Sequence, residues 1–245
     1  MGIGPGDIEQ MSLKAYRLLQ DVDVIAGYTT YIDLIKPLIS SSQQVIETGM
    51  GREKERAETA INLARQGYET AVVSSGDPGI YGMAGLVLEM LSSKNIRIET
   101  EVIPGITAEA AAASRLGAPL MHDQAIISLS DLLTPWEKIE DRLNKAAAGD
   151  FITALYNPSS KKRTEHIKQA QKIFLEHRKD TTPVGIVRSV SRDSEQITLT
   201  DLANMLDQQI DMLTTVIIGN SETFIEENIF YTENGAMITP RGYDL

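Results

Sequence analysis

The chain has 245 residues, of which 42% are apolar and 23% charged, with a formal net charge of −11 and no cysteine. This composition supports one large or two ordinary folded domains and excludes a largely disordered chain. The acidic balance argues against nonspecific nucleic-acid binding, and the absence of thiols excludes disulfides, thiolate metal sites and cysteine nucleophiles.

The chain opens MGIGPGD (1–7), a glycine-rich turn ahead of a helical pattern. A dinucleotide fingerprint would need a third glycine where Asp7 stands. A carboxylate there repels phosphate, and Pro5 has no N–H to offer. Asp7 is suited instead to capping a helix or accepting hydrogen bonds from amines and hydroxyls. Strands are predicted at 22–26 (VDVIA), 69–75 (ETAVVSS), 97–104 (RIETEVIP), 150–156 (DFITALY), 183–189 (PVGIVRS) and 214–219 (TTVIIG). Helices are predicted at 53–66, 81–92, 107–116, 136–147 and 163–177, each with apolar residues at three- and four-residue spacing. The alternation gives an α/β chain with helices covering sheets. LGAPLMHD (116–123) supplies glycine, proline and a polar exit near the midpoint, so two domains are expected, 1–118 and 119–245, with the ligand site in a cleft between them. No apolar run approaches a membrane span, and Asp7 and Glu9 stand where a secretory signal would be basic or apolar, so a cytoplasmic protein is expected.

A second loop, SSGDPGIYG (74–82), follows a strand and precedes a helix, where ligands sit in open α/β sheets. Gly76 and Gly79 allow close backbone approach, Pro78 stiffens the turn and Asp77 adds negative charge. Two acidic glycine-proline loops suit a ligand that is cationic or rich in hydroxyls and amines, as S-adenosylmethionine is. An ordinary turn with a capping aspartate remains the alternative for this loop taken alone.

GIGPGD, SSGDPGIYG and VIPGITAEAAAA (102–113), in this order, resemble the N-domain signatures of the tetrapyrrole methylases. TGMGRE (48–53), APLMHDQAIISLSDLLTPW (118–136), LYNPSS (155–160) and MITPRGY (237–243) are similar to the branch of that family that methylates and contracts a cobalamin precursor. The resemblance covers essentially the whole chain. It departs from the usual pattern in a short first strand and in Gln124, which stands where an aromatic residue is common.

The resemblance implies a two-domain class III methyltransferase fold, each domain a mixed sheet covered by helices. It implies methyl transfer from S-adenosylmethionine, leaving S-adenosylhomocysteine, to carbon 17 of precorrin-3B or cobalt-factor III, with contraction of the macrocycle. A homodimer and a tetrapyrrole substrate, which can carry cobalt, are implied, with no resident metal, nucleic acid or membrane.

By the same resemblance Pro5 lies below the cofactor. Ser75, Gly76, Asp77 and Ile80 hold its methionine and ribose portions, Thr107 and Ala108 flank the methionine end, and Asn157, Ser189 and Val190 surround the adenosine. Each has a plainer role open to it: Thr107 can cap its helix, Ile80 can be core, and Asn157 can form a turn with Pro158. Methyl transfer needs alignment and the exclusion of water, with Asp77 expected at the ligand's polar ends rather than beside sulfur. Ring contraction calls for proton transfer, for which Asp131 with Ser128 and Ser130, and His122 with Asp123, are the candidates. SLSDLLTPW can equally be a helix entry, and His122 a linker residue. A polycarboxylate substrate needs local cations: Arg52, Arg188, Arg192, Arg241 and the run Lys161, Lys162, Arg163 are candidates. A sibling methylase acting at another ring carbon, a nucleotide-dependent oxidoreductase and a noncatalytic ligand-binding α/β protein are the competing readings.

Overall fold

The computed structural model describes residues 1–229, 232 and 235–244. Its contacts divide the chain into Met1–Ala108 and Glu109–Leu245.

In the first unit, strands β1 (Val24–Tyr28), β2 (Gln44–Thr48) and β3 (Thr70–Val72) form a parallel sheet in the order β2-β1-β3. β1 is central, and four of its five residues are buried, the pattern of a strand covered on both faces. Helices α1 (Leu13–Asp21), α2 (Thr29–Ile35), α3 (Glu53–Arg65) and α4 (Met83–Ser93) accompany it. α1 begins because the Ser12 hydroxyl accepts the Ala15 amide, and it buries Ala15 and Leu19, four residues apart, against Ile25, Ile32 and Val73. It stops where the Gln43 side chain takes the carbonyls of Leu19 and Val22, each at 2.7 Å.

The strand expected at 97–104 does not form. The outer edge of β3 continues into pairing with the opening segment, Ile3 N to Ser74 O at 2.9 Å and Ser74 N to Met1 O at 3.0 Å. Only one carbonyl of the expected strand is drawn in, Ile103 O, which accepts from Gly2 N at 2.9 Å. Beyond it a cavity of about 160 Å³ is lined by Val72 and Thr70 of β3, by Ile98, Thr100 and Val102, and by Leu88 and Leu91 of α4. A β-rich pattern with no ladder partner beside it stays irregular.

In the second unit α5 (Ala108–Leu116) leads into a short strand, β4 (Gly117–Ala118), and then β5 (Gln124–Ser128), α6 (Trp136–Ala148), β6 (Ile152–Tyr156), α7 (Glu165–Leu175), β7 (Pro183–Arg188), β8 (Gln196–Asp201), β9 (Thr214–Ile218), β10 (Phe224–Glu226) and β11 (Ala236–Ile238) follow. The main sheet runs β5-β6-β9-β7-β8, parallel at β5-β6 and antiparallel elsewhere, and β10-β11-β4 forms a small second sheet. Alternation along the strands sorts the two faces. Leu155, Val184, Ile186, Val216 and Ile218 point to Ile139 and Leu143 of α6 and Phe174 of α7. Ile152, Ala154, Val187 and Ile217 point to Ala112 and Leu116 of α5 and to Met237.

Both units are therefore α/β. The first is built on parallel strands, with one antiparallel bridge, Gly4 to Gly76, among its described pairings. The division after Ala108 falls earlier than the boundary expected after Ala118, because α5 is core of the second unit. A Cβ on Gly185 of β7 would lie 2.3 Å from Leu116 Cδ1, so strand and helix pack in direct contact. The turn residues of 116–123 mark the entry to β4 and β5, not a linker. No helix among the described residues is long and apolar enough to cross a membrane.

Candidate functional site

Three backbone segments converge in the first unit. Gly76 exchanges hydrogen bonds with Gly4, Gly76 N to Gly4 O at 2.7 Å and Gly4 N to Gly76 O at 3.3 Å. A Cβ on Gly105 would stand 2.2 Å from Gly76 O, and Gly76 itself, at φ +67°, lies 3.5 Å by the same measure from the Thr107 Cα. No side chain fits where the first of these crossings occurs, which is why glycine stands there. Asp77 ties the segments together: Oδ1 accepts from Gly79 N at 2.8 Å and Oδ2 from Gly105 N at 3.0 Å. Gly76, Asp77, Thr107 and Ala108 thus lie together, with Pro5 buried just beyond Gly4 and Ser75 and Ile80 half-buried on the same loop. Both oxygens of Asp77 already serve backbone amides, so its first role is to hold the loops. Asp7 is likewise engaged, accepting Glu9 N at 2.9 Å at the head of a short 3-10 turn, Ile8–Gln10.

Close by in sequence, the Arg56 guanidinium is 2% exposed and holds the end of β2, through Thr48 Oγ1 at 2.8 Å and the carbonyls of Thr48 and Gly49 at 3.3 Å. Burial lowers its pKa, and the charge of Glu53 opposes that shift. It fixes the start of the GMGRE loop. Arg52, the candidate in that loop, is paired with Glu55 at 2.5 Å on the surface.

In the second unit the chemistry gathers at one edge of the main sheet. β5 and β6 run parallel and end there, and β7, antiparallel to β9, brings Arg188 opposite Thr214 at the same edge. Asn157 Nδ2 donates to Ser128 Oγ at 3.0 Å, and the Ser130 amide reaches the same oxygen at 3.2 Å. Asn157, Ser189 and Ser191 have φ of 49°, 52° and 59°. Left-handed non-glycine residues store strain, and these three fall at one sheet edge. Ser189 is 2% exposed and its Oγ has no hydrogen-bond partner among the described residues, while Val190 is buried beside it.

Asp131 stands between His166 of α7 and Arg163 of the turn before it. Arg163 Nε is 3.8 Å from Oδ1 and His166 Nε2 is 3.7 Å from Oδ2. Arg163 Nη1 and His166 Nδ1 both meet the Leu129 carbonyl at 2.9 Å, and the imidazole stacks on Trp136 with centroids 4.1 Å apart. Burial lowers the Arg163 pKa, opposed by the charge of Asp131. Leu132 and Leu133, next in the loop, are 79% and 93% exposed.

The structure therefore brings together Ser128, Ser130, Asp131 and Asn157, and separates His122 from them. His122 precedes β5 at its opposite end, across five strand residues or roughly 16 Å, and its Nδ1 accepts the Asp123 amide at 2.9 Å in a local turn. Arg188 is also not free, because its Nε donates to Asp211 Oδ2 at 2.7 Å. Burial disfavours the Asp211 carboxylate, but hydrogen bonds from Arg188, the Leu213 amide and Thr214 outweigh it and hold the pKa below the ordinary 3.8. Arg192 is half-buried, and Arg241 is exposed. His166 was missed by the sequence reading, since a lone histidine in a helical pattern gives no signal until Leu129 and Asp131 are placed against it.

Residues 1–206 match the family model for tetrapyrrole (corrin/porphyrin) methylases. The chain belongs to that family. It is 50% identical to the cobalt-factor III methyltransferase of Priestia megaterium over 99% of its length, while spanning 44% of that longer relative. It is 47% identical to the probable cobalt-factor III C(17)-methyltransferase of Salmonella typhimurium, covering 100% of this chain and 98% of the relative. Among solved structures it is similar to the methyltransferase CobJ, with a TM-score of 0.89, 34% identity, and coverage of 98% of this chain and 97% of that one.

Proposed function

We propose that this protein is an S-adenosylmethionine-dependent C-methyltransferase of cobalamin biosynthesis, methylating carbon 17 of cobalt-factor III or its metal-free counterpart precorrin-3B, with contraction of the macrocycle. The observation that carries the reading is the match along the whole length of the chain to a probable cobalt-factor III C(17)-methyltransferase.

The residues present suit the cofactor. A glycine backbone crossing keeps side chains out where a ligand must come close, and the Ser189 hydroxyl is a buried group without a partner among the described residues. In the first unit Pro5, Ser75, Gly76, Asp77, Ile80, Thr107 and Ala108 would serve the methionine and ribose portions. In the second, Asn157, Ser189 and Val190 would serve the adenosine. S-adenosylmethionine, when bound, supplies an electrophilic methyl group on a positively charged sulfur. The chain's own contribution to that transfer is alignment and dryness: rigid crossed loops tied by Asp77, and exposed leucines at 132 and 133 that a flat macrocycle can cover. Arg52 and Arg188 are paired with Glu55 and Asp211, and Arg241, exposed near the end of the described chain, is the cation offered to the substrate carboxylates, with Arg192 a further candidate. Ring contraction requires a proton to move, and Asp131, half exposed among basic groups, is the residue for it. A cytoplasmic homodimer completes the reading, in keeping with the prevalence of twofold oligomers.

Turnover tests it. Cobalt-factor III and precorrin-3B, each incubated with methyl-labelled S-adenosylmethionine, are expected to yield for at least one substrate a product one labelled methyl heavier, with spectral change from the altered ring. Well-folded protein that converts neither would overturn the proposal, and methylation without contraction would redirect it to a sibling reaction.

A further inference from the structure

We propose that His166 is the proton-exchanging partner of Asp131, an imidazole held so that it can take a proton from that carboxylate and return it. This rests on the reading above, in which Asp131 faces the macrocycle.

The argument starts from the Leu129 carbonyl. A carbonyl oxygen only accepts, so His166 Nδ1, 2.9 Å away, keeps its proton in both charge states. Nε2 is then the one position at which the ring gains or loses a proton, and it faces Asp131 Oδ2 at 3.7 Å. Stacking on Trp136, at 4.1 Å and 22°, fixes the plane of the ring. The His166 side chain is 14% exposed and that of Asp131 49% exposed, so the imidazole is sheltered and the carboxylate reaches outward.

The charged groups around the ring act in opposite directions. Asp131, a carboxylate, and Arg163, a guanidinium held by the same carbonyl, are the oppositely charged groups that face it. Glu165, next in the chain, is turned to Lys168 at 2.8 Å and Thr164 at 3.3 Å. Neither Arg163 Nε at 3.8 Å nor His166 Nε2 at 3.7 Å is within hydrogen-bond distance of the carboxylate, so neither locks it, and a small rotation brings it to the imidazole or to a substrate proton.

The step balances as a proton relay. Asp131 takes a proton from an O–H or C–H group of the macrocycle, whose bonding pair stays with the macrocycle. Nε2 of the neutral imidazole then takes that proton from Asp131, restoring the carboxylate and forming an imidazolium that donates to Leu129 O and Asp131. The reverse passage delivers the proton to the product or to water. No oxidant or reductant enters. His166 acts through Asp131 rather than on the substrate.

The test separates this role from packing. In His166→Asn the amide nitrogen can keep the bond to Leu129 O but cannot hold a titrating proton. The expected result is a fall in kcat of about 100-fold, KM and S-adenosylhomocysteine affinity within threefold of wild type, and loss of one limb of the pH–kcat profile. A kcat within threefold of wild type, or an unaltered profile, overturns the proposal. Should the variant fail to fold, nitrogen NMR of labelled histidine in the wild-type protein decides. Nδ1 is expected to stay protonated while Nε2 titrates, at a pH that moves in Asp131→Asn; an unmoved titration counts against the pair. Wild-type protein that converts no substrate defeats the functional reading, whereas active wild type with an equally active His166→Asn defeats this inference alone.

Discussion

The loops of the first unit and the sheet edge of the second, both assigned to ligand binding in the proposed function, are built by different means. In the first, the surface is backbone: a Cβ on Gly105 would meet the Gly76 carbonyl at 2.2 Å, Gly4 and Gly76 hold the positive φ that favours glycine, and the carboxylate of Asp77 at the crossing is engaged by amides. In the second, the surface is side chains carried by distant segments, with Ser128 bonded to Asn157, and Asp131 set among Arg163 and His166. A backbone site tolerates almost no added atom, while a side-chain site tolerates substitution and loses one chemical contribution at a time.

The contrast is sharpest at Gly105. In Gly105→Ala the new methyl would sit 2.2 Å from Gly76 O. Separation of the loops is expected, with S-adenosylhomocysteine binding falling below detection in calorimetry and stability dropping by about 1–3 kcal/mol from the lost contacts and strain. Gly85, in the first turn of α4, has nothing within 4 Å of its Cβ position. Gly85→Ala should leave binding intact and add up to about 1 kcal/mol in urea unfolding. Equal losses in the two variants would erase the distinction between crossing and ordinary glycines.

Asp77→Asn comes next. One of the amides of Gly79 and Gly105 would then face an NH₂ group in place of an acceptor, at an expected cost of about 1–3 kcal/mol. Urea denaturation should show it, and cofactor affinity should fall in parallel. Unchanged stability with lost affinity would mean that the carboxylate meets the ligand directly.

For the second unit, Ser189→Ala removes a hydroxyl that bonds nothing among the described residues. Stability should hold or rise slightly, while S-adenosylhomocysteine affinity falls by about tenfold, the loss of about one hydrogen bond. A variant that binds as tightly as wild type would remove Ser189 from the site.

The smallest effect is expected at the Arg188–Asp211 pair. The Asp211 pKa is lowered on folding, so the unfolded chain binds the proton more readily, and the pair's contribution is present above pH 3.8 and is lost as pH falls through the lower folded value. Because both side chains are partly exposed, that contribution is on the order of 1 kcal/mol or less. The difference in unfolding free energy between wild type and Asp211→Asn should be flat above about pH 5 and close toward zero in acid. A gap that widens as pH falls would reverse the sign of the argument.

The difference between the regions also explains what the sequence revealed. Backbone sites are written in glycine and proline at fixed spacing, so the loops at 1–7, 74–82 and 102–113 were legible, as were apolar strands such as β6, β7 and β9. The edge strand β8, QITLTD, is only partly buried and too polar to stand out, and β2 begins inside the polar run SSSQQ, at Gln44. RIETEVIP carries the β pattern, but whether a ladder partner lies alongside is a matter of topology. Asp131 and Arg163 were each candidates, but their grouping with Leu129, Trp136 and His166 was not legible, because these residues become neighbours only when β5, α6 and α7 are packed. His122, prominent beside a motif, is in fact at the far end of its strand.

The parallel pairing of β5 with β6 has a practical corollary. Two strands that enter a sheet from the same side release their chain at the same rim, and α6 carries the intervening segment back across. The two outgoing loops therefore share one rim, and within them the exposed Leu132 and Leu133 can be varied while Leu129, buried with Leu143, Leu155 and Phe174, anchors the loop from beneath.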